Sequence, residues 1–226
     1  MKYLEKLARI FQDAGTRVYA VGSFVRKIVC GDDANDVDLC GEKTPDELRE
    51  LLKNSEFELF NEKPYYYRTH IGVKGKPNVY FDYTTFRRDY YSGEGKYHPS
   101  KITIAKNIKA DYLRRDFTIN AVYFDPLTKE YYDYCGGLID MKHRLLKTII
   151  DPDISFSNDA TRILRMVKTA VDGPYNIEYN TFQAAKRQAK KIEALSDAHF
   201  YEYIEKIKNK TVAIKLLKEI FPWKQL

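Results

Sequence analysis

The chain has 226 residues, of which 44% are hydrophobic and 31% are charged. This composition is typical of a soluble globular protein, and no run of eighteen apolar residues exists that would span a bilayer. The sequence therefore argues against a membrane-spanning protein. The first residues also lack the apolar segment of a signal peptide, which predicts a cytoplasmic location.

The net charge of +6 is unevenly distributed along the chain. Residues 1–100 carry sixteen basic and sixteen acidic side chains, whereas residues 101–226 carry twenty-two basic and sixteen acidic ones. A basic surface suits a polyanionic partner such as nucleic acid, although basic helices also occur as ordinary solvated surfaces. The second half is therefore the part expected to contact nucleic acid.

Apolar spacing and turn residues predict alternating helices and strands in the first hundred residues. A first amphipathic helix ends near Gly15, and Thr44 to Glu47 form a capping box with proline at the first helical position. Residues 87–100, rich in Gly, Tyr and charge, are expected to form a mobile loop. The other predicted elements are a strand at 17–21, a helix at 24–29, a strand at 36–39, a helix to about 53, and two β-rich runs at 65–73 and 79–86 joined by a hairpin connection.

A Gly-Ser turn and an Asp-x-Asp pair are the first candidate site. Gly22 and Ser23 precede a short helix, whose first N–H groups can hold a triphosphate. Asp36 and Asp38 lie on the next predicted strand, where side chains two apart share a face and can converge on two divalent ions. Solvated surface acids are the alternative. The pattern resembles the signature of the DNA polymerase beta-like nucleotidyltransferase superfamily.

Asp82 lies within an apolar β-rich run, where an unpaired acid is costly to bury. It either faces solvent or joins the metal site as a third carboxylate, and the second reading is favoured. Polar donors are also dense in residues 111–121. Arg114 and Arg115 can neutralise phosphate oxygens, and the following polar residues can bond a ribose or hold the arginines. A structural salt-bridge network is the alternative.

Three motifs resemble, in the same order, the head-domain motifs of class II tRNA nucleotidyltransferases (CCA-adding enzymes) and bacterial poly(A) polymerases. They are residues 22–26 with 36–38, residues 114–121 and residues 133–140. A fourth motif, residues 158–162 with Arg165, resembles the Glu-Asp-x-x-Arg motif on the neck helix of that family. There, the Asp and Arg hydrogen-bond the incoming base and act as an amino-acid template.

The chain departs from the family pattern at three positions. Ser23 replaces the second Gly of the common Gly-Gly pair, Lys27 replaces an Asp, and Asn158 replaces the Glu before the template Asp. The loss of two acids near the nucleotide puts base choice, or its switching, in doubt. The chain also ends where the family's body and tail begin, so it is either part of a longer protein or a small enzyme that holds RNA differently.

The resemblance implies an α/β fold: a nucleotidyltransferase head over residues 1–137, with a small mixed β-sheet flanked by helices, followed by an all-α neck over residues 138–226. It implies template-independent addition of C and/or A to the 3′ end of tRNA from CTP and ATP, with release of pyrophosphate and two Mg²⁺ ions as cofactors. Poly(A)-type tailing of other RNAs and a non-catalytic nucleotide- or RNA-binding module are the alternatives. The oligomeric state is left open.

The residue patterns and the resemblance together assign roles to individual residues. Asp36 and Asp38 are predicted to bind the metals, and Asp82 to assist catalysis. The predicted nucleotide-binding residues are Gly22, Ser23, Arg26, Arg115, Asp116, Asn120, Asp159, Arg162 and Arg165. RNA affinity is expected to depend on basic side chains of the neck, such as Lys186, Arg187, Lys190 and Lys191.

Overall fold

The computed structural model describes residues 2–32, 34 and 36–224, which form two compact units. The first unit comprises the residues up to Arg88, Ile102–Arg115 and Asn120–Gly137. The second comprises Asp89–Lys101, Asp116–Ile119 and the residues from Leu138 onward. The assignment of catalysis to residues 1–137 and of base recognition to residues 138–226 stays a prediction.

The first unit is built on a seven-stranded mixed sheet. Its strands are β1 (Val18–Val21), β2 (Asp38–Gly41), β3 (Phe57–Lys63), β4 (Arg68–Val73), β5 (Lys76–Thr85), β8 (Tyr123–Phe124) and β9 (Tyr131–Tyr132). Two further strands, β6 (Arg87–Tyr90) and β7 (Lys101–Ile104), pair with each other. The order in the main sheet is β3-β4-β5-β2-β1-β8-β9, in which β2 and β5 are parallel and the other neighbours are antiparallel.

The described residues of the first unit form four α-helices: α1 (Lys2–Asp13), α2 (Ser23–Cys30), α3 (Pro45–Leu52) and α4 (Ile108–Asp111). A fifth helix, α5 (Gly137–Lys142), starts at the last residue of this unit and otherwise belongs to the second. The stripe of Leu4, Leu7 and Phe11 on α1 is buried, and the Phe11 ring lies 6.1 Å from that of Tyr83 on β5. Burial of each such side chain contributes about 1.5–3 kcal/mol. The predicted capping box at the start of α3 is confirmed, because the Thr44 side chain and Glu47 satisfy each other's backbone N–H groups.

The described residues of the second unit from Leu138 onward are mainly helical and contain one two-residue strand pair, β10 (Leu145–Leu146) with β11 (Asn176–Ile177). Its other helices are α6 (Pro152–Asn158), α7 (Thr161–Asp172), α8 (Tyr179–Arg187), α9 (Asp197–Glu205) and α10 (Lys210–Ile220). Side chains of the preceding residues cap four of these helices, which satisfies N–H groups that have no partner within the helix. The capping residues are Asp151, Glu178, Ser196 and Asn209.

Several predicted elements differ from the observed ones. The strand predicted at 36–39 begins only at Asp38, so Asp36 does not lie on it. The run at 65–73 becomes strand only from Arg68, because Pro64–Tyr66 form a 3₁₀ turn. The segment expected to be a loop at 87–100 starts with β6. Strand β3 was missed because it is an edge strand whose outer residues are charged, a feature that protects sheet edges and hides the apolar alternation.

Within the described part of the chain, no helix is long and apolar enough to cross a membrane.

Candidate active site

The turn between β1 and α2 brings Gly22 against Asp38. Val21 and Asp38 are cross-strand partners, so the residue after β1 lies beside the first residue of β2. Gly22 has φ +75° and ψ −143°, a conformation that L side chains rarely adopt. A β-carbon at this position would stand 2.9 Å from Oδ2 of Asp38. Glycine is therefore required both by the backbone and by the space that the carboxylate occupies.

The carboxylates of Asp38 and Asp82 come from adjacent strands of the sheet. The two residues are in register in the parallel pair β2–β5, and the N–H of Asp82 donates to the carbonyl of Val37 at 3.0 Å. Asp36 is exposed and lies two residues before β2. The prediction that Asp36 and Asp38 lie on the same face of one strand is therefore wrong for Asp36. The acidic residue that the sheet sets beside Asp38 is Asp82.

Two residues of β4 contact Asp82. Nε of Arg68 donates to Oδ1 of Asp82 at 2.7 Å, and Nη2 of Arg68 pairs with Oδ2. Nε2 of His70 lies 3.8 Å from Oδ2 of the same carboxylate. The hydrogen bond with Asp82 raises the pKa of Arg68. Asp82 is thus neither an isolated solvated acid nor a buried unpaired one.

The donor set around Asp38 suits a hard divalent cation. Within residues 2–32, 34 and 36–224, no group of three or more His, Cys, Asp or Glu residues is arranged to hold a metal ion. Mg²⁺ sites at phosphate substrates commonly use only one or two carboxylates, with waters and phosphate oxygens completing the shell. Asp38 and Asp82 supply such oxygens, and the absence of a side chain at Gly22 keeps a β-carbon away from Oδ2 of Asp38. The residues present fit a divalent metal ion.

Arg26 and Asn120 form a second polar pair within the first unit. Nη1 of Arg26 donates to Oδ1 of Asn120 at 2.8 Å, and the Arg26 N–H bonds to the carbonyl of Gly22 at 3.2 Å. This contact joins the first turn of α2 to the 3₁₀ turn at Thr118–Asn120. It orients a guanidinium beside the start of α2, where helix N–H groups also favour an anion.

Arg114 and Arg115 belong to a buried salt-bridge network. The carboxylate of Asp111 is fully buried. Nε of Arg114 lies 2.8 Å from its Oδ1, and Nη2 of Arg115 lies 2.9 Å from its Oδ2. The Tyr123 hydroxyl also donates to Oδ2, at 2.7 Å. Burial alone raises the pKa of Asp111, but the two guanidinium charges outweigh it and hold that pKa well below its usual range. The structural alternative for this motif is therefore observed, and a phosphate contact by Arg115 stays a prediction.

The neighbouring motif residues also have structural partners. In the second unit, Oδ2 of Asp116 lies 2.7 Å from Nη2 of Arg165, and the charge of Asp116 raises the pKa of Arg165. Thr118 donates to Asp140 at 2.6 Å. In the first unit, Oδ1 of Asp133 accepts from three successive backbone N–H groups, those of Cys135, Gly136 and Gly137. The third motif thus builds a turn.

Asp159 and Arg162 form a buried pair in the second unit. Asp159 has extended backbone angles and precedes α7, so the expectation that the fourth motif lies on one helix is wrong for Asp159. Oδ1 of Asp159 accepts from the N–H and the hydroxyl of Thr161. Nε of Arg162 lies 3.8 Å from Oδ2 of Asp159, and Nη1 donates to the Ser155 hydroxyl at 2.9 Å.

The segment from Tyr91 to Gly95 is attached to the same part of the second unit. The N–H of Gly95 donates to the carbonyl of Ser157 at 2.7 Å, and the carbonyl of Gly95 accepts from the N–H of Ala160 at 3.1 Å. The Tyr91 ring centroid lies 5.7 Å from the Arg162 guanidinium carbon. This segment therefore borders the Asp159–Arg162 pair rather than projecting as a free loop.

Sequence reasoning missed Arg68, His70 and Tyr91. For Arg68 and His70 a straight count back from the hairpin fails, because the β4–β5 register shifts between Gly72 and Val73 and only the shifted register sets His70 opposite Asp82. Tyr91 carries no sequence signal either, since its approach to Arg162 depends on tertiary contacts of a segment without regular periodicity.

Residues 18–147 match the family model described as the poly A polymerase head domain. The chain therefore belongs to this family, in which divalent metal ions are generally used. The resemblance and the fold class expected from the sequence are confirmed.

Curated relatives that the chain matches include CCA-adding enzymes. The enzyme of Staphylococcus aureus (strain MRSA252) is 31% identical over 193 residues, which cover 82% of this chain and 44% of that protein. The enzyme of Lactobacillus helveticus (strain DPC 4571) is 31% identical over 192 residues, again covering 82% and 44%. The chain spans about half the length of the curated relatives it matches.

Solved structures share the fold. The Bacillus stearothermophilus CCA-adding enzyme in complex with CTP superposes with a TM-score of 0.83 at 23% identity, covering 96% of this chain and 51% of that one. The Thermotoga maritima CCA-adding enzyme complexed with tRNA(CCA) gives 0.75 at 23% identity, covering all of this chain and 53% of that one.

Proposed function

We propose that this chain carries the transfer site of a template-independent RNA nucleotidyltransferase that adds C and/or A to the 3′ end of tRNA from CTP and ATP. The observation that carries the proposal is the register of Asp38 with Asp82 beside the Gly22 turn. The names of the two relatives described above, both CCA-adding enzymes, favour tRNA over other RNAs as the substrate. A tRNA substrate leads us to expect activity in the cytoplasm.

The reaction forms one P–O bond and breaks another. The terminal 3′ oxygen of the RNA attacks the α-phosphorus of the nucleotide, the bond between that phosphorus and the bridging oxygen breaks, and pyrophosphate leaves with the bonding electrons. The hydroxyl proton is lost to a nearby base or water. Two Mg²⁺ ions, held by Asp36 and Asp38 with Asp82 alongside, would supply Lewis-acid stabilisation of the developing negative charge.

Residues of the first unit hold the reacting phosphates. The backbone at Gly22 and Ser23 starts α2 and offers N–H groups to the triphosphate. Arg26, held by Asn120, adds a guanidinium charge next to them. Arg115 is anchored by Asp111 and contributes positive potential from a fixed position.

Residues of the second unit are proposed to read the base. A carboxylate accepts hydrogen bonds and a guanidinium donates them, so Asp159 accepts from the amino group of C or A while Arg162 donates to a ring or carbonyl acceptor. U and G present the opposite pattern at the corresponding edge. Arg165, held by Asp116, supports the same pocket.

The test is incubation of the protein with tRNA lacking its 3′ CCA, Mg²⁺ and each nucleotide separately, followed by sequencing of the products. Asp38→Asn and Asp36→Ala should abolish transfer, while Asp13→Ala should not, because Asp13 is an exposed acid at the last residue of α1. Long A-tails on unrelated RNA would indicate poly(A)-type activity instead. Nucleotide binding without any transfer would indicate a non-catalytic module.

A further inference from the structure

Three aromatic rings lie together on the sheet face that carries Asp38 and Asp82. His70 on β4 stacks on Tyr80 on β5, with ring centroids 5.2 Å apart and an interplanar angle of 14°. Phe60 on β3 meets both rings edge-on, at 5.1 Å from His70 and 5.9 Å from Tyr80. Phe60 and Tyr80 nevertheless remain 42% and 46% exposed. A cluster of exposed rings at one place on a surface often marks a binding site.

The cluster adjoins the candidate metal site through the strand register. Phe60 pairs with His70, His70 with Asp82, and Asp82 with Asp38, so these residues form one row across four neighbouring strands. Adjacent strands lie about 4.8 Å apart. His70 therefore stands one strand from Asp82, and its Nε2 lies 3.8 Å from Oδ2 of that residue.

Two backbone features hold these rings in place. Gly72 on β4 has no side chain, and a β-carbon there would stand 2.8 Å from Cε1 of Phe60, so the Phe60 ring lies over the strand. The register of β3 shifts between Phe60 and Lys63, and Asn61 within this shift has φ +51°. Nδ2 of Asn61 lies 3.3 Å from Nε2 of His70. Bulges of this kind re-aim side chains beside functional sites.

We propose that Phe60, His70 and Tyr80 form a stacking platform for the terminal base of the single-stranded RNA 3′ end, which would make them positioning residues for the transfer reaction. This inference rests on the proposed function. Unpaired RNA bases bind proteins by stacking on aromatic side chains. The attacking hydroxyl belongs to the terminal nucleotide, so the base of that nucleotide must lie next to the part of the sheet that carries the carboxylates.

The sheet order distinguishes the RNA end from the incoming nucleotide. The Gly22 turn follows β1, on one side of the carboxylates of β2 and β5, whereas the platform lies on β3, β4 and β5 on the other side. The triphosphate of the incoming nucleotide and the terminal base of the RNA therefore approach the carboxylates from opposite sides. Stacking also tolerates any base, as required when each addition changes the terminal nucleotide.

The experiment uses an RNA hairpin with a single-stranded 3′ end that terminates in 2-aminopurine, whose fluorescence falls when it stacks. The parent protein and Tyr80→Phe should quench the probe in EDTA, and Tyr80→Ala and His70→Ala should quench it much less. In transfer assays, Tyr80→Ala should raise KM for RNA roughly tenfold and leave KM for CTP unchanged. Tyr179→Ala is the matched control, since Tyr179 is an exposed tyrosine on α8 of the second unit.

The possible results separate the platform from the proposed function. Quenching that depends on Tyr80 in a protein without transfer activity would support the platform and refute the function. Normal transfer with unchanged quenching and KM in both alanine variants would refute the platform and leave the function intact. If the alanine variants raised only the KM for CTP, the rings would contact the incoming base. If the alanine variants had a sedimentation coefficient different from that of the parent protein, the rings would mediate self-association. Either result would overturn the inference.

Discussion

Gly22 lies so close to Asp38 that a β-carbon at Gly22 would stand 2.9 Å from Oδ2 of Asp38. Gly31, at the other end of α2, also has positive φ, but a β-carbon there meets nothing within 4 Å. Comparing substitutions at these two glycines, which flank α2, therefore distinguishes the effect of backbone strain from the effect of crowding the carboxylate.

This pair gives the first prediction. Gly22→Ala should lower kcat at least a hundredfold, because the methyl group displaces the Asp38 carboxylate. Gly31→Ala should keep near-normal activity and lose only about 1 kcal/mol of unfolding free energy, the cost of left-handed backbone for a residue with a β-carbon. Steady-state transfer assays and urea denaturation of both variants make the comparison. Near-normal kcat in Gly22→Ala would show that the Asp38 position is not critical.

Asp82 should affect chemistry more than nucleotide binding. Asp82→Asn removes the charge beside Asp38 but keeps an oxygen for Arg68, so kcat should fall while KM for CTP changes little. The unfolding free energy should change by less than about 1 kcal/mol, because the Arg68–Asp82 pair is partly exposed. Steady-state kinetics at several Mg²⁺ concentrations provide the measurement. An unchanged kcat would remove Asp82 from the site.

Base choice should depend on the charge of Asp159. Because Asp159 also bonds Thr161 at the start of α7, Asp159→Asn is a cleaner test than alanine, which would remove both functions. Loss of a charged partner in a desolvated pocket costs roughly 1.5–3 kcal/mol, so preference for C and A over U and G should fall about tenfold to a hundredfold. The measurement is kcat/KM for all four nucleotides.

Asp151→Asn is the control for Asp159→Asn, since Asp151 caps α6 through the N–H of Ile154. It should leave base preference unchanged. Equal loss for every base in Asp159→Asn would mean that this residue orders the second unit without reading the base. Because Asn158 lacks the charge of the family's usual Glu, switching from C to A is expected to be less strict in this protein.

The Asp111 network should stabilise the first unit above about pH 4. A carboxyl whose pKa is lowered in the folded state contributes stability above its unfolded pKa, about 3.9, and loses it as pH falls toward the folded value. Asp111→Asn leaves two guanidinium groups without their carboxylate and should cost about 3–5 kcal/mol at pH 7. Urea denaturation of parent and variant should show this difference shrinking below pH 4. A pH-independent difference would exclude the ion pair as its cause.

RNA binding by the basic side chains of the second unit should be salt-dependent, but through fewer residues than expected. Arg187 pairs with Asp153, and Nζ of Lys191 donates to the carbonyl of Gly93, so Lys186 and Lys190 are the better candidates. Replacing both by Gln should weaken RNA binding and reduce the slope of log K against log salt by about 1 to 2.

Replacement of Lys215 and Lys218 on α10 by Gln changes the net charge equally and serves as the control. Fluorescence anisotropy at several salt concentrations measures both slopes. Equal effects of the two double variants would indicate that total charge, not a local contact surface, governs RNA binding.

Local patterns in the sequence predicted much of the first unit. The capping box at Thr44, the Gly-Ser turn and the hairpin before β5 all depend on residues close together in the chain, whose backbone preferences survive folding. The first family motif likewise pointed to Asp38, and Asp82 stood out as an acid within an apolar β-rich run, although their roles stay predictions. Where prediction failed, as for Asp36 and Asp159, the strand or helix begins later in the chain than the pattern suggested, because element ends are decided by packing and capping rather than by periodicity.

The sequence by itself determined which residue types could act: carboxylates for metal ions, a glycine turn for phosphates, and an acid with arginines for a base. Only the tertiary structure decided their partners. The sequence left open whether Asp82 faces solvent or joins Asp38, and the sheet order placed it between Asp38 and Arg68. It also left open what holds Arg114 and Arg115, and folding paired both with Asp111. Phe60, His70 and Tyr80 are separated in sequence and meet only because three strands align, since cross-strand register is fixed by long-range hydrogen bonding that no local pattern encodes.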